Sequence, residues 1–265
     1  DDRYGVAVAG RPSLLIDIDG VLVTSWEAIP GAIDTLVEVR RRRLPFVLVT
    51  NTTSRTRDDI ASLLTDAGFE IYPDEILTTA AITAAYLRRR HPDARVQLLN
   101  EGDLRPDLYG IQVVATDGDV VVLGGAGPSF SYDAVNAVFA RLHAGAPLIA
   151  MNPNLVWRTT EGLQLDAGAY LQALEAAAGT TAVVTGKPAE EFFQTALDHL
   201  DARANEAYMI GDDLATDVLG AQAVGIRGVL VRTGKFRADV VEASPHPPDV
   251  IIDSFADVFT ALDSR

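Results

Sequence analysis

The sequence predicts an α/β protein built on a parallel sheet, with a second α/β domain inserted into the first. Three observations predict it. Short apolar, β-branched runs alternate with longer amphipathic stretches. Several of those runs end in carboxylates or hydroxyls, at Asp17, Thr50 and Asp212. Between Asn51 and Lys187 the chain is also far longer than one helix–strand–helix crossing requires, which is about 40 residues by ordinary element and loop lengths.

Taken in order, residues 14–17 read as a buried strand ending in Asp17, and 32–43 as a helix that turns Leu36 and Val37 toward the core. Residues 45–50 form the next strand, ending in Thr50, and a helix over 57–67 stops at Gly68. The rhythm resumes late: helix 188–200, strand 207–210, helix 214–224, strand 228–231, strand 250–252 and a closing helix over 255–262. The surplus between has helices over 80–90, 132–144 and 169–178, and strands over 96–99, 120–123 and 148–151. The expected division is therefore 1–78 with 182–265 as one domain and 79–181 as the inserted one. Open parallel sheets bind ligands beyond the carboxyl ends of their strands, which is where Asp17, Thr50 and Asp212 fall.

Composition narrows the chemistry. The chain has 265 residues, a formal charge of −15 and no cysteine, which excludes disulfides, thiolate nucleophiles and sulfur-bound metals. Its four histidines, at 91, 143, 199 and 246, show no helical metal-ligand spacing. Oxygen ligands, carboxylates, hydroxyls and amines must do the work. The acidic balance argues against nucleic acid and anionic membranes as partners. It is compatible with a phosphorylated small molecule, because a bound divalent cation reverses the local sign of an acidic pocket. No apolar run reaches membrane-spanning length, and residues 1–12 lack the basic start and apolar stretch of a secretory signal, so a soluble cytoplasmic protein is expected. Lys187 and Lys235 are the two lysines of the chain.

Four segments carry candidate chemistry. In Asp17-Ile18-Asp19-Gly20, two carboxylates spaced i, i+2 at a strand end can divide nucleophilic attack from acid–base work, and Gly20 permits a tight turn. A polar strand end or a fragment of a calcium loop competes, but Val21 breaks the calcium-loop pattern. Thr50-Asn51-Thr52 offers a hydroxyl and amides to phosphoryl oxygens, or simply a helix cap. Thr185-Gly186-Lys187-Pro188 puts an ammonium before a helix; a solvated surface lysine is the bland alternative. Gly211-Asp212-Asp213 through Asp217 is a second acidic cluster after a buried strand. Capping accounts for Asp213 and, at most, Asp217, but leaves Asp212 unexplained. Several carboxylates meeting in one place call for a hard divalent cation.

These four segments, in this order, resemble the motifs of the haloacid dehalogenase superfamily. The resemblance implies a Rossmann-like parallel-sheet core with an inserted α/β C2 cap, the subfamily IIA arrangement. Met209–Asp213, Gly220-Ala221-Gln222, Arg232–Arg237 and Phe130-Ser131-Tyr132 are similar to the branch containing phospholysine phosphohistidine inorganic pyrophosphate phosphatase. By motif position, the resemblance implies that Asp17 attacks phosphorus and Asp19 serves as acid and then base. Thr50 and the Asn51 amide hold phosphoryl oxygens, and Lys187 offsets their charge. Mg2+ takes the Asp17 carboxylate, the Asp19 carbonyl and Asp212, with Asp213 and Asp217 orienting the groups around it. Trp157 and Arg158 are the candidate substrate contacts of the inserted domain, although packing explains a tryptophan equally well.

The branch's mammalian members resemble Asp-x-Ser-Gly where this chain keeps Asp19, which favours small phosphate monoesters over phosphoramidates or pyrophosphate. A phospho-receiver that does not turn over, a dehalogenase and a phosphomutase are the rival readings. Similar proteins lead to the expectation of a homodimer through the cap.

Overall fold

A computed structural model describes residues 11–159 and 162–263. The chain opens with β1 (Ser13–Asp17), a small hairpin of β2 (Val23–Thr24) and β3 (Glu27–Ala28), then α1 (Ala32–Arg41), β4 (Phe46–Thr50), α2 (Arg57–Asp66), β5 (Ile76–Thr78) and α3 (Thr79–Arg90). It continues through β6 (Arg95–Leu99), β7 (Gln112–Val114), β8 (Val120–Leu123), α4 (Tyr132–His143), β9 (Leu148–Ala150), the hairpin of β10 (Val156–Thr159) and β11 (Gly162–Leu165), α5 (Ala167–Ala178) and β12 (Val183–Val184). It ends with α6 (Glu190–Leu200), β13 (Ala207–Gly211), a π-helical segment (Leu214–Leu219) running into α7 (Gly220–Ala223), β14 (Arg227–Val231), α8 (Ala238–Ala243), β15 (Val250–Ile252) and α9 (Val258–Asp263).

The fold is mixed α/β, in two compact units. Among the described residues, one takes 11–50, Arg57–Leu77 and 193–263; the other takes Asn51–Thr56 and those of Thr78–Phe192.

In the first unit the sheet order is β15-β14-β13-β1-β4-β5. β1 lies between β13 and β4 and pairs in parallel with both. From β1 the chain moves outward through β4 and β5, then returns to lay β13 against the opposite edge of β1. The β1/β13 boundary is therefore the topological switch point, where helices leave in opposite directions and open a crevice. All five residues of both strands are buried, as expected of central strands covered on both faces. Leu14, Ile16, Leu48, Ile210, Val229 and Phe255 belong to one continuous core.

The second unit has its own sheet, ordered β12-β9-β8-β6-β7, with each adjacent pair parallel. Cores form on two sides of it. Leu123, Val138, Ala150 and Leu171 meet in one, and Leu87, Val96, Val122 and Ile149 in the other.

The structure revises several expectations. α1 buries Ala32, Thr35, Leu36 and Val39, an i, i+3, i+4, i+7 stripe. Val37 is 57% exposed, because one step along a helix rotates a side chain about 100° away from its neighbour. The expected helix over 214–224 is a π-helical segment followed by a short α-helix. The helix expected from residue 188 begins at Glu190. Among the described residues, no helix is long and apolar enough to cross a membrane.

Phe255 is fully buried in the first unit's core, so truncating it leaves a cavity that the surrounding side chains fill only in part. Phe255→Ala is expected to cost about 3–5 kcal/mol in urea unfolding, and a loss under about 1 kcal/mol would show that this core is looser than described.

Candidate active site

Pairing register positions the first acidic group. Ile16 lies opposite Ile210 across the switch point, so Asp17 at the end of β1 stands beside the end of β13, where Asp212 follows Gly211. On the other side Asp17 pairs with Val49, one residue short of Thr50. Adjacent parallel strands thus carry three motif residues to one edge of one sheet.

Carboxylate oxygens of Asp17, Asp212 and Asp217 all lie within 4.8 Å of one another, and all three residues are buried. Asp217 reaches this group from the π-helical segment. Asp213 caps that segment: its Oδ1 accepts the Ala215 and Thr216 N–H groups at 3.0 and 3.1 Å. Its own N–H donates to Asp217 Oδ2 at 3.2 Å. Asp213 is therefore occupied in building the turn, while Asp217 joins the two acids at the strand ends.

The wall around Asp212 is backbone. The Lys235 N–H donates to Asp212 Oδ2 at 2.8 Å. The Thr233 hydroxyl donates a very short hydrogen bond to the Gly20 carbonyl, tying the loop after β14 to the loop after β1. Gly20 and Gly234 sit at φ +79° and +61°, and a Cβ on either would overlap Asp212 Oδ2. Both loops pack directly on this carboxylate, which only glycine allows. Asp19 is exposed beside the buried group, its loop held by the Gly20 N–H donating to the Val23 carbonyl at 2.7 Å.

Three buried carboxylates at this spacing suit a hard divalent cation. The donor set is entirely oxygen, with no imidazole or thiolate in it, as magnesium or calcium sites require. An ion held at this group by Asp17 and Asp212 would offset the mutual repulsion and lost hydration of all three acids.

The second unit holds Asn51 and Lys187. Lys187 is 3% exposed and precedes Pro188 through a cis peptide bond. The Asn51 side chain forms two hydrogen bonds with the main chain of Lys187. Trp157 and Arg158 lie on β10, but their side chains fall outside the described ones. Sequence reasoning gave no role to the Thr233-Gly234-Lys235 turn, or to Gly20 as a wall of the Asp212 site. The available signal was a glycine flanked by polar residues directly after the β14 strand.

Comparison with known proteins agrees with this arrangement. Residues 14–113 match the family model described as haloacid dehalogenase-like hydrolase, and residues 184–258 match one described as HAD-hydrolase-like. The chain is 40% identical over 243 residues to haloacid dehalogenase-like hydrolase domain-containing protein 2 of Pongo abelii, covering 92% of each chain. It is 36% identical over 260 residues to phospholysine phosphohistidine inorganic pyrophosphate phosphatase of Bos taurus, covering 96% of this chain and 93% of that one. Its fold matches p-nitrophenyl phosphatase from Archaeoglobus fulgidus at a TM-score of 0.87 and 28% identity, covering 95% and 99%. The chain belongs to the haloacid dehalogenase-like hydrolase family. It is an enzyme of that family, with phosphatases among its relatives and structural neighbours of the subfamily IIA type.

The two lysines make the cation site observable without an activity assay. In protein labelled with 15N-lysine, a divalent cation is expected to move the Lys235 amide signal, because that N–H is bonded to Asp212. Gly234→Ala should weaken this response by about tenfold or more, in line with losses at groups that orient metal ligands. A Lys235 signal indifferent to saturating magnesium would remove the cation from this site.

Proposed function

We propose that this enzyme is a magnesium-dependent phosphatase of small phosphorylated metabolites, working through an aspartyl-phosphate on Asp17. The observation that carries the reading is the burial of Asp17 at the switch point of the parallel sheet, within 4.8 Å of two further carboxylates. A nucleophile so placed is aimed by rigid backbone. The acids around it are the ones a cation would neutralise.

Asp17 attacks the phosphorus in line; its Oδ–P bond forms as the bond to the departing oxygen breaks. Asp19 gives its proton to that oxygen. Water then attacks the aspartyl-phosphate, Asp19 takes the proton back, and the Asp17 carboxylate and inorganic phosphate separate. The exposed position of Asp19 suits this exchange, which must reach both a leaving group and solvent. The Thr50 hydroxyl and Asn51 amide hold transferring oxygens, and Lys187 offsets their growing charge, each by its motif position. Mg2+ would be held by Asp17 and Asp212, with the Asp19 carbonyl by its motif position, and would supply Lewis-acid charge there. Asp217 completes the buried acidic group, and Asp213 holds the turn that brings it there. In the same reading, residues 79–181 serve as a C2-type cap, with Trp157 and Arg158 contacting the substrate beyond its phosphate.

The name of the Bos taurus relative favours a second reading, in which P–N or P–O–P bonds are cleaved. Retention of Asp19 favours the first, because a carboxylic acid matters most when the leaving group is a poor alkoxide.

With p-nitrophenyl phosphate and magnesium, the enzyme is expected to show multiple turnovers that excess EDTA abolishes and Asp17→Asn reduces by about a thousandfold or more. A single stoichiometric burst would instead mark a receiver that keeps its phosphate. Asp19→Asn should slow alkyl phosphates far more than p-nitrophenyl phosphate, and equal losses would remove Asp19 as the proton donor. A panel of sugar phosphates, phospholysine, phosphohistidine and pyrophosphate decides between the two substrate classes.

A further inference from the structure

The segment bearing Lys187 is held on three sides within the second unit. Thr185, fully buried, donates its N–H to the Ala150 carbonyl at 2.9 Å, and its hydroxyl meets the Thr83 hydroxyl at 2.7 Å. Gly186 presses on the end of β9 so closely that a Cβ there would overlap the Met151 carbonyl oxygen. Lys187 itself is gripped by one side chain: Asn51 Oδ1 accepts its N–H at 2.8 Å, and Asn51 Nδ2 donates to its carbonyl at 2.9 Å. The Lys187 ammonium then lies 5.9 Å from the centroid of the fully buried Phe192 ring, within cation–π range.

We propose that Asn51 is a positioning residue, whose carboxamide fixes the main chain of Lys187 and so aims its ammonium. The proposal rests on the reading above that Lys187 takes part in phosphoryl transfer.

The chemistry of the grip is selective. A primary carboxamide presents an acceptor and a donor side by side, matching the N–H and C=O of a single residue. Aspartate keeps the acceptor but sets a second acceptor against the carbonyl. Alanine removes both bonds. Lysine reaches its charge through four flexible methylenes and is a compact point charge, so an unanchored backbone would multiply the positions that charge can take. Both hydrogen bonds of the Asn51 side chain that the structure describes go to this one residue, although 136 positions separate the two in sequence. The side chain of Asn51 therefore has a task separate from that of its main-chain amide, to which motif position assigns a phosphoryl oxygen.

The test is a double-mutant cycle read beside the two lysine amide signals. Lys187→Met removes one signal and so assigns it. In Asn51→Ala and Asn51→Asp, the Lys187 signal should move and exchange faster with solvent, while the Lys235 signal stays in place. For p-nitrophenyl phosphate, Asn51→Ala should lower kcat about tenfold or more and change KM by less than about threefold. In the Lys187→Met background the same substitution should change kcat by less than about twofold, because Asn51 then has no ammonium to aim.

Equal losses in both backgrounds would show that Asn51 acts on the substrate itself and would overturn the proposal. So would an unchanged kcat in Asn51→Ala with the Lys187 signal displaced. If both signals collapse in Asn51→Ala, Asn51→Asp, which retains the acceptor and the volume, carries the same comparison. Failure of the underlying reading looks different: Lys187→Met would turn over like the parent enzyme, and the positioning role would fall with it.

Discussion

Like charges repel, and carboxylates removed from water lose a hydration that neutral side chains never had to surrender. Asp17, Asp212 and Asp217 incur both penalties, being buried with ligand oxygens within 4.8 Å of one another. Much of the first unit is organised around bearing that cost. Parallel pairing of β1 and β13 brings Asp17 and Asp212 to one edge, and the Asp213 cap starts the π-helical segment that returns Asp217 to them. A main-chain amide from Lys235 stabilises one Asp212 oxygen. Gly20 and Gly234 bring their loops onto the same carboxylate, closer than any side chain would permit. Negative charge concentrated at a sheet's switch point is what an oxygen-ligated cation would offset, and that cation would in turn attract a phosphorylated substrate.

The π-helical segment shows how local irregularity serves this arrangement. π-turns are rare and concentrate at functional sites, because one residue more per turn re-aims the side chains that follow. Here the irregular turn carries Asp217, buried to 1% exposure, on a segment that begins immediately after the strand-end acid. The Asp213 carbonyl accepts the Asp217 N–H at 3.1 Å, as in a regular helical turn, and also the Val218 N–H at 3.4 Å, where the wider turn begins. The segment that departs from regularity also carries Asp217, the residue that joins Asp17 and Asp212.

The second unit solves a related problem for a positive charge. Lys187 is almost fully buried, and its backbone is immobilised by Asn51, by the close packing of Gly186 and by the anchored Thr185. Rigid backbone on both sides of a long side chain lowers the entropy lost when that side chain takes one geometry. The Phe192 face adds a weakly attractive surface without neutralising the charge.

The sequence by itself determined the fold class, most long elements and the identities of the acidic residues. Short β-branched runs predicted Val120–Leu123 and Val250–Ile252 at the bounds they have, and the periodicity of 32–43 located α1. Ile76–Thr78, Gln112–Val114 and Val183–Val184 were not predicted, because strands this short show no period of two; Val250–Ile252, equally short, stood out only as an apolar run directly after Pro247-Pro248-Asp249. Tertiary structure alone decided which acids meet. Asp213 and Asp217 look alike as acids after a strand, yet one caps the turn through its neighbours' amides while the other is buried with Asp17 and Asp212. It also decided that Asn51 grips Lys187, and that the backbone of Gly234 and Lys235 encloses Asp212. Sequence carries side-chain chemistry and local periodicity. Which distant groups touch depends on strand order and loop closure, and those are settled only when the whole sheet packs.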